Sequence, residues 1–206
     1  MMTVEEYFES GKPVPTTARF TSLQNSTVED WAAVAAHGDM RDGGIADTLL
    51  EMLYKQNDDP GVYPVNRYEH GLQTATLAWL DGERDEEMLA LALLHDVGDV
   101  LGLGNHAEVL AAIIKPYVSP ENYWLIKHHE IFQAKSYSSF FGEDPDIYKR
   151  YRGHPCFKRT AYFCAKWDNP AFDKNFESMN IEHFLPMVYK VFSEPKRDVW
   201  TSVDDD

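Results

Sequence analysis

DEEMLALALLHDVGDV, residues 85–100, is the stretch on which the fold turns. Acids open it, an unbroken apolar run fills it from Met88 to Leu94, and His95 and Asp96 stand side by side where the run stops. Apolar residues cover every side of the helical period, so the pattern predicts a helix over about Asp85 to Val97 that is buried all round. A carboxylate at the end of such a helix is costly unless it is paired or ligates a metal. An adjacent His-Asp pair suits the second case. The imidazole offers a nitrogen to one metal, and the carboxylate has two oxygens with which to bridge to another.

The flanking segments read as helices too. Upstream, Ile45 to Gln56 carries Ile45, Leu49, Met52 and Leu53 on one face. Asn57-Asp-Asp-Pro-Gly61 is a turn cluster, and a helix over about Asn66 to Leu80 ends at Asp81-Gly82. Downstream, Asn105 is placed to cap a helix from about His106 to Lys115, stopped by Pro116. Ser119-Pro120-Glu121 starts a helix that runs to about Ile131, with Ser at the cap and Pro in the first turn. A connection from about Phe132 to Gly153 follows, long enough to be a functional lid or to carry a short helix of its own. Pro155 opens a helix ending near Asp168, and the last helix spans about Ile181 to Phe192 with Pro186 inside it. The first forty-odd residues are polar and loop-rich. There Ser26 and Glu29 form a capping box that predicts a helix from about Thr27 to His37. No segment alternates at period two, so the fold class is all-α. The expected organisation is an N-terminal helical extension (1–44), a helical bundle (45–192) and a frayed tail (193–206).

Composition bounds the function. The 206 residues are 44% hydrophobic and 13% aromatic, enough for a substantial core in one domain. Lys and Arg number 19 against 34 Asp and Glu, a net charge of -15. Such a surface repels phosphate backbones and anionic lipid, which argues against nucleic-acid and membrane binding as the main activity. The N-terminus has neither a basic nor an apolar leader region, and no apolar run is long enough to span a bilayer. Cys156 and Cys164 are too few for a disulfide framework and read as reduced core residues of a cytoplasmic protein.

The eight histidines carry the chemistry. His70, His95, Asp96, His106, His129 and Asp168 each fall in, or at the end of, a predicted helix. His70 and Asp168 can complete the set of one metal with His95, while His106 and His129 serve a second metal with Asp96. Mixed nitrogen and oxygen ligands suit iron, manganese or zinc better than calcium. His37, His154 and His183 read as surface or satisfied core residues. His128 and His129 diverge by about 100° on a helix, so only one of them can face a given metal.

LLHDVGD resembles the signature of the HD-domain superfamily of metal-dependent hydrolases and oxygenases. NRYEHGLQTA, NHAEVLAAIIKPYVSPENYWLIKHHEIF and AKWDNPAFD are similar to the ligand-bearing segments of its mixed-valent diiron oxygenases, the group of myo-inositol oxygenase and the phosphonate-cleaving enzymes. The resemblance covers about Asn66 to Asp173. It implies a compact helical HD-domain bundle with metal ligands His70, His95, Asp96, His106, His129 (not His128) and Asp168 (not Asp173). It also implies two iron ions in an Fe(II)/Fe(III) pair, with O2 as co-substrate. Two positions depart from the family. Asp99 stands where the inositol enzymes have a substrate-contacting lysine. Asp58, Asp59 and Tyr63 lie upstream of His70, out of register with the Tyr and Glu that gate one iron in the phosphonate branch.

Two reactions fit such a site. One is oxidative cleavage of a C–P or C–C bond beside a hydroxylated carbon, as in a hydroxyalkyl phosphonate. The alternative is a dimetal phosphohydrolase attacking a phosphate ester or nucleotide through a metal-acidified water. A metal-stabilised scaffold ranks last, because a shared carboxylate exceeds what a structural site needs. Four side chains are expected to act in catalysis: Asp96, Asp99 as a partner for a polar or cationic substrate group, His128 facing the substrate space, and Lys166 beside Asp168. Between Ile147 and Lys166 six basic residues occur without an acid: Lys149, Arg150, Arg152, Lys158, Arg159 and Lys166. They form either a solvated face or an anion-binding wall over the metals. Tyr137, Phe140, Phe141, Tyr148 and Tyr151 are candidates for a lid or for a satellite core.

Overall fold

The computed structural model describes residues 1–42, 44–58 and 61–196, and among these there is no strand. The chain divides into two units, Met1–Ile45 and the remainder from Ala46. In the first unit, α1 (Val4–Glu9) is a helix the sequence reading did not anticipate. Its signal is the capping box of Thr3 and Glu6, each side chain bonding the other's backbone N–H. α2 (Val28–Asp42) is capped one residue later than expected. Thr27, not Ser26, pairs with Asp30, whose carboxylate accepts from the Thr27 and Arg19 N–H groups. Ser26 instead closes the preceding turn on the Leu23 carbonyl.

The second unit begins with α3 (Ile45–Lys55), which buries Leu49, Leu50, Met52 and Leu53 and runs into a 3-10 turn, Gln56–Asp58. α4 (Arg67–Leu80) starts at Asn66, whose side chain accepts from the Glu69 N–H. It packs on α5 (Glu86–Leu94), in which every residue from Met88 to Leu94 is buried. The approach is close enough that a Cβ on Gly71 would stand 2.4 Å from the Leu93 carbonyl oxygen. α5 ends three residues before the expected Val97. His95 is its C-cap, Asp96 turns at φ -104° and ψ 4°, and Val97–Val100 continues as a 3-10 turn. That change of direction lays Gly98 against His106, where a Cβ would be 2.2 Å from the His106 carbonyl oxygen, so the position requires glycine.

α6 (His106–Ile114) packs on α7 (Pro120–Gln133), which Ser119 caps and which outruns its expected end by two residues. The long connection holds three 3-10 turns, Ala134–Ser136, Ser138–Phe141 and Ile147–Tyr151. α8 (Phe157–Phe163) passes directly into a π turn, Cys164–Asp168. The single helix expected over Ile181–Phe192 is two pieces, a 3-10 turn (Ile181–His183) and α9 (Leu185–Val191). Pro186 explains the split, since in the first turn of α9 its missing N–H has no helical partner to lose. The tail is tied down at its start: the Lys196 backbone N–H donates to the Pro116 carbonyl at 2.7 Å, and Lys196 Nζ to Glu87 at 2.6 Å. The rest of the expected tail, from residue 197, lies outside the described residues.

Candidate metal centre

Four histidine rings share one arrangement. His95 at the end of α5 has Nδ1 2.9 Å from the Ala92 carbonyl oxygen, and His129 in α7 has Nδ1 2.7 Å from that of Ile126. His106, first residue of α6, has Nδ1 3.4 Å from the Leu103 carbonyl oxygen and 3.1 Å from Asp99 Oδ1. His70 in α4 reaches across to the Ala171 carbonyl at 3.0 Å. A carbonyl only accepts, so hydrogen bonding assigns the proton of each neutral ring to Nδ1 and leaves a lone pair on Nε2. The Nε2 atoms converge, with His70 and His95 3.1 Å apart and His106 and His129 3.4 Å apart.

Asp96 stands between the two pairs. Its Oδ2 is 3.4 Å from His70 Nε2, and its Oδ1 is 3.2 Å from His106 Nε2, 3.3 Å from His129 Nε2 and 3.6 Å from His95 Nε2. Asp168 Oδ1 lies 3.3 Å from His70 Nε2 and 3.6 Å from His95 Nε2. The π turn puts Asp168 there, burying Trp167 and Asp168 while Lys166 stays exposed. Such widened turns recur where a helix must re-aim a functional side chain. Two donors hold the segment from outside, Tyr162 Oη at 2.7 Å and Trp167 Nε1 at 2.9 Å from Asp81 Oδ2.

The electrostatics follow from crowding. Burial alone would raise the Asp96 carboxyl, but His95, His106, His129 and His70 hold it well below the usual carboxylate range. Asp168 is likewise lowered against burial, by His70 and His95. Burial pulls His106 down, yet Asp96, Asp99 and Glu130 carry it up to about 9, and Asp168 and Asp96 raise His70 against burial. The cluster thus draws cationic charge toward its two carboxylates. Metal ions can supply that charge in place of ring protons, because a ligating imidazole must be neutral.

The donor set fits metal ions. Three groups have ligand atoms within 4.8 Å of one another: His70, His95 and Asp96; His95, His129 and Asp168; and Asp96, His106 and His129. The two oxygens of Asp96 face different histidines, as a shared carboxylate requires. Asp168 Oδ1 accepts from Gln133 Nε2 at 2.8 Å, while its Oδ2 is buried without a hydrogen-bond partner among the described residues. His70, His95, His129 and Asp168 are all 0% exposed.

All six expected ligands are therefore brought together. The other expected side chains fare differently. Asp99 is at the centre but is engaged from within: Arg67 Nε lies 3.1 Å from its Oδ2 and His106 Nδ1 3.1 Å from its Oδ1. Burial and the neighbouring Asp96 raise its carboxyl. The cation beside its carboxylate is Arg67. His128 stacks on Trp124 at 4.2 Å and meets the edge of Tyr151, on a different side of α7 from His129. Lys166 is exposed, while Asp168 is fully buried. The basic run is a solvated face. Lys149 pairs with Asp146, Arg159 with Asp85, and Arg150 lies over Tyr151. Tyr148 and Tyr151 pack with Phe132, Phe157 and Trp124 as a satellite core. His154 joins them on the other face of Trp124, His183 packs on Trp79, and His37 is exposed. Tyr63 lies over Arg67 and against Phe172, which in turn stacks on His70. Asp58 is exposed, and Asp59 lies outside the described residues.

Three neighbours of the centre escaped the sequence reading. Arg67 donates to Asp96 Oδ2 at 2.9 Å. Its signal was its place one turn before His70 on the same helix face. Gln56 donates to the Asp96 carbonyl at 2.7 Å, and Gln133 holds Asp168; neither had a signal beyond being a glutamine at a helix end. A cavity of about 310 Å³ adjoins this edge of the centre, lined by Lys55, Gln56, Arg67, Asp99, Val100 and Leu103. A second cavity, about 460 Å³, lies within the first unit between Pro15 and Asp30, away from any cluster of metal-ligating residues among those described. Among the described residues no helix is long and apolar enough to cross a membrane. No family model matches the chain, and no curated protein matches it.

Proposed function

We propose that the chain is an HD-type diiron oxygenase that uses O2 to cleave a C–P or C–C bond beside a hydroxylated carbon in a small polar substrate such as a hydroxyalkyl phosphonate. The observation that carries the reading is the convergence of four imidazole Nε2 lone pairs on two buried carboxylates, one of which turns an oxygen to each half of the cluster. His70, His95, Asp96 and Asp168 would hold one iron and Asp96, His106 and His129 the other. When bound, the pair supplies Lewis acidity for a substrate hydroxyl and electrons for reaction with O2. The choice of oxygenase over hydrolase rests on the sequence resemblance around His70, His106 to His129 and Asp168.

The chain's own residues set the surroundings. Full burial of His70, His95, His129 and Asp168 keeps bulk water from the ligands. The cavity beside Asp99 has room for a small molecule, and Lys55 on its wall supplies positive charge for an anionic end, the charge of Arg67 being paired with Asp96 and Asp99. Lys55 takes the place of the basic run as the anion anchor.

Metal analysis with EPR on anaerobically and aerobically prepared protein tests the reading, together with an oxygen-uptake screen over hydroxyphosphonates, aminohydroxyphosphonates, polyols and nucleotides. A mixed-valent diiron signal and oxygen uptake on a hydroxylated substrate are expected. Phosphate release from a nucleotide without oxygen, with no uptake on any hydroxylated compound, would replace the oxygenase by the phosphohydrolase.

A further inference from the structure

We propose that Arg67 is a positioning residue of the metal centre, which fixes the Asp96 carboxylate by a directed hydrogen bond and holds Asp99 beside it as an ion pair. The proposal rests on the dimetal reading above. Arg67 Nη1 donates to Asp96 Oδ2 at 2.9 Å, which leaves Asp96 Oδ1 facing His106 and His129 at 3.2 and 3.3 Å. Arg67 Nε also lies 3.1 Å from Asp99 Oδ2 and Asp99 Oδ1 3.1 Å from His106 Nδ1, contacts of charge without hydrogen-bond geometry. One guanidinium thus sets the plane of Asp96, with Oδ2 toward His70 and Oδ1 toward His106 and His129, and holds Asp99 beside it by charge. A planar group with divergent donors can hold two carboxylates in fixed orientation, whereas an ammonium is a point charge. The Tyr63 ring, 4.6 Å from the guanidinium carbon, limits the plane from outside. Partners behind a ligating imidazole fix its orientation, and losing one costs roughly 10- to 100-fold in metal affinity.

A sign separates positioning from plain electrostatics. A cation beside metal ligands repels a metal, so if Arg67 acted by charge alone, removing it would tighten binding. If it positions the carboxylates, removing it loosens binding, and Lys does not restore the loss. The experiment is a Co(II) titration of the whole chain, followed by visible absorption, for the wild type and for Arg67→Lys, Arg67→Gln and Tyr63→Leu. His106→Ala serves as the reference for loss of the His106–His129–Asp96 site.

The wild type is expected to take two Co(II). Arg67→Lys and Arg67→Gln are each expected to weaken one of the two by about 10- to 100-fold, leaving the Co(II) spectrum of His106→Ala. Tyr63→Leu removes only a half-exposed ring and should weaken the same site by a smaller factor; it carries the test if the Arg67 variants do not fold. Wild-type affinity at both sites in Arg67→Lys and Tyr63→Leu, or tighter binding in Arg67→Gln, would overturn the proposal. A wild type that binds fewer than two Co(II) would overturn the dimetal reading, and this proposal with it, whatever the Arg67 variants do.

Discussion

His128 and His129 are neighbours on one helix and have opposite surroundings. Both rings turn Nδ1 to a carbonyl of the preceding turn, that of Trp124 at 2.8 Å for His128 and that of Ile126 at 2.7 Å for His129. The tautomer is the same, so the tautomer does not make a ligand. The two differ in direction, by about 100° around α7. His129 is fully buried with Nε2 3.3 Å from Asp96 Oδ1. His128 lies half-buried in an aromatic stack, on the face of Trp124 opposite His154. Burial holds His128 below the ordinary histidine value, helped by Lys127, with only the Trp124 carbonyl raising it. At His106, on the carboxylate side, Asp96, Asp99 and Glu130 outweigh burial. A helical histidine becomes a candidate ligand where buried carboxylates give its lone pair a cation to share.

The widest break in this contrast is at the carboxylate itself. Asp96→Ala removes the oxygens that face both histidine pairs, so both metals should be lost rather than one. A site held at 100-fold above its Kd stabilises the fold by about 2.7 kcal/mol. Wild-type Tm should therefore rise with added metal while Asp96→Ala shows no metal-dependent rise. Two irons per chain in Asp96→Ala, measured by elemental analysis, would mean the carboxylate is not shared.

The histidine pair gives the next effect. His129→Ala should lose at least one metal. His128→Ala should keep both and lose only an aromatic stack, about 0.5–1.5 kcal/mol of stability. Metal content and denaturant midpoints of the two variants decide it. If His128→Ala loses metal and His129→Ala keeps it, the register of α7 is wrong by one residue.

Sequence and structure agree where burial and period leave one choice. The run Met88–Leu94 could only be a buried helix, and a His-Asp pair at its end could not be left unpaired. The histidines around that pair mark a candidate metal cluster, but His129 over His128 and Asp168 over Asp173 are what the family resemblance implies, not what the hydrophobic period encodes. What escaped depends on how backbone turns. The expected α5 continues to Val97, but the approach of Gly98 to His106 ends it at Leu94 and brings Asp99 round to Arg67. Lys166 is two residues from Asp168, and the π turn separates their directions, a feature no hydrophobic period encodes. The basic run was ambiguous in sequence because its acidic partners, such as Asp85 for Arg159, come from a distant helix.

The same two histidine environments predict opposite pH responses of the metal-free protein. His106 has a folded value of about 9, above its unfolded value. The stability it contributes is fully present below about pH 6.5 and is lost as pH rises through 9. His128 is lowered, so its contribution is present above about pH 6.5 and lost as pH falls below that. Asp96 and Asp168, also lowered, hold theirs above about pH 4 and lose it in acid. Tm of EDTA-treated protein should thus decline from neutral pH toward 9. His106→Ala should reduce that alkaline decline to the share of His70, which is also raised, and His128→Ala should leave it intact. An alkaline slope unchanged in His106→Ala would assign the decline to another group. Bound metal should remove the His106 contribution, since it replaces the proton.

The smallest effects belong to the basic run, and they sharpen the contrast between charge near the centre and charge outside it. Lys149–Asp146 and Arg159–Asp85 are exposed pairs, which contribute about 0–1 kcal/mol. Lys166 is exposed. Lys166→Ala and Arg152→Ala should therefore leave metal content and kcat/KM within about twofold, the scatter of ordinary surface substitutions. Lys55 is exposed as well, but it lines the cavity that also contains Arg67 and Asp99. Lys55→Ala should lower kcat/KM for an anionic substrate by roughly tenfold or more, the loss of one charge-assisted contact, with metal content unchanged. A tenfold loss in Arg152→Ala with none in Lys55→Ala would move the anion anchor back to the basic run and place the substrate on the side of the centre away from Asp99.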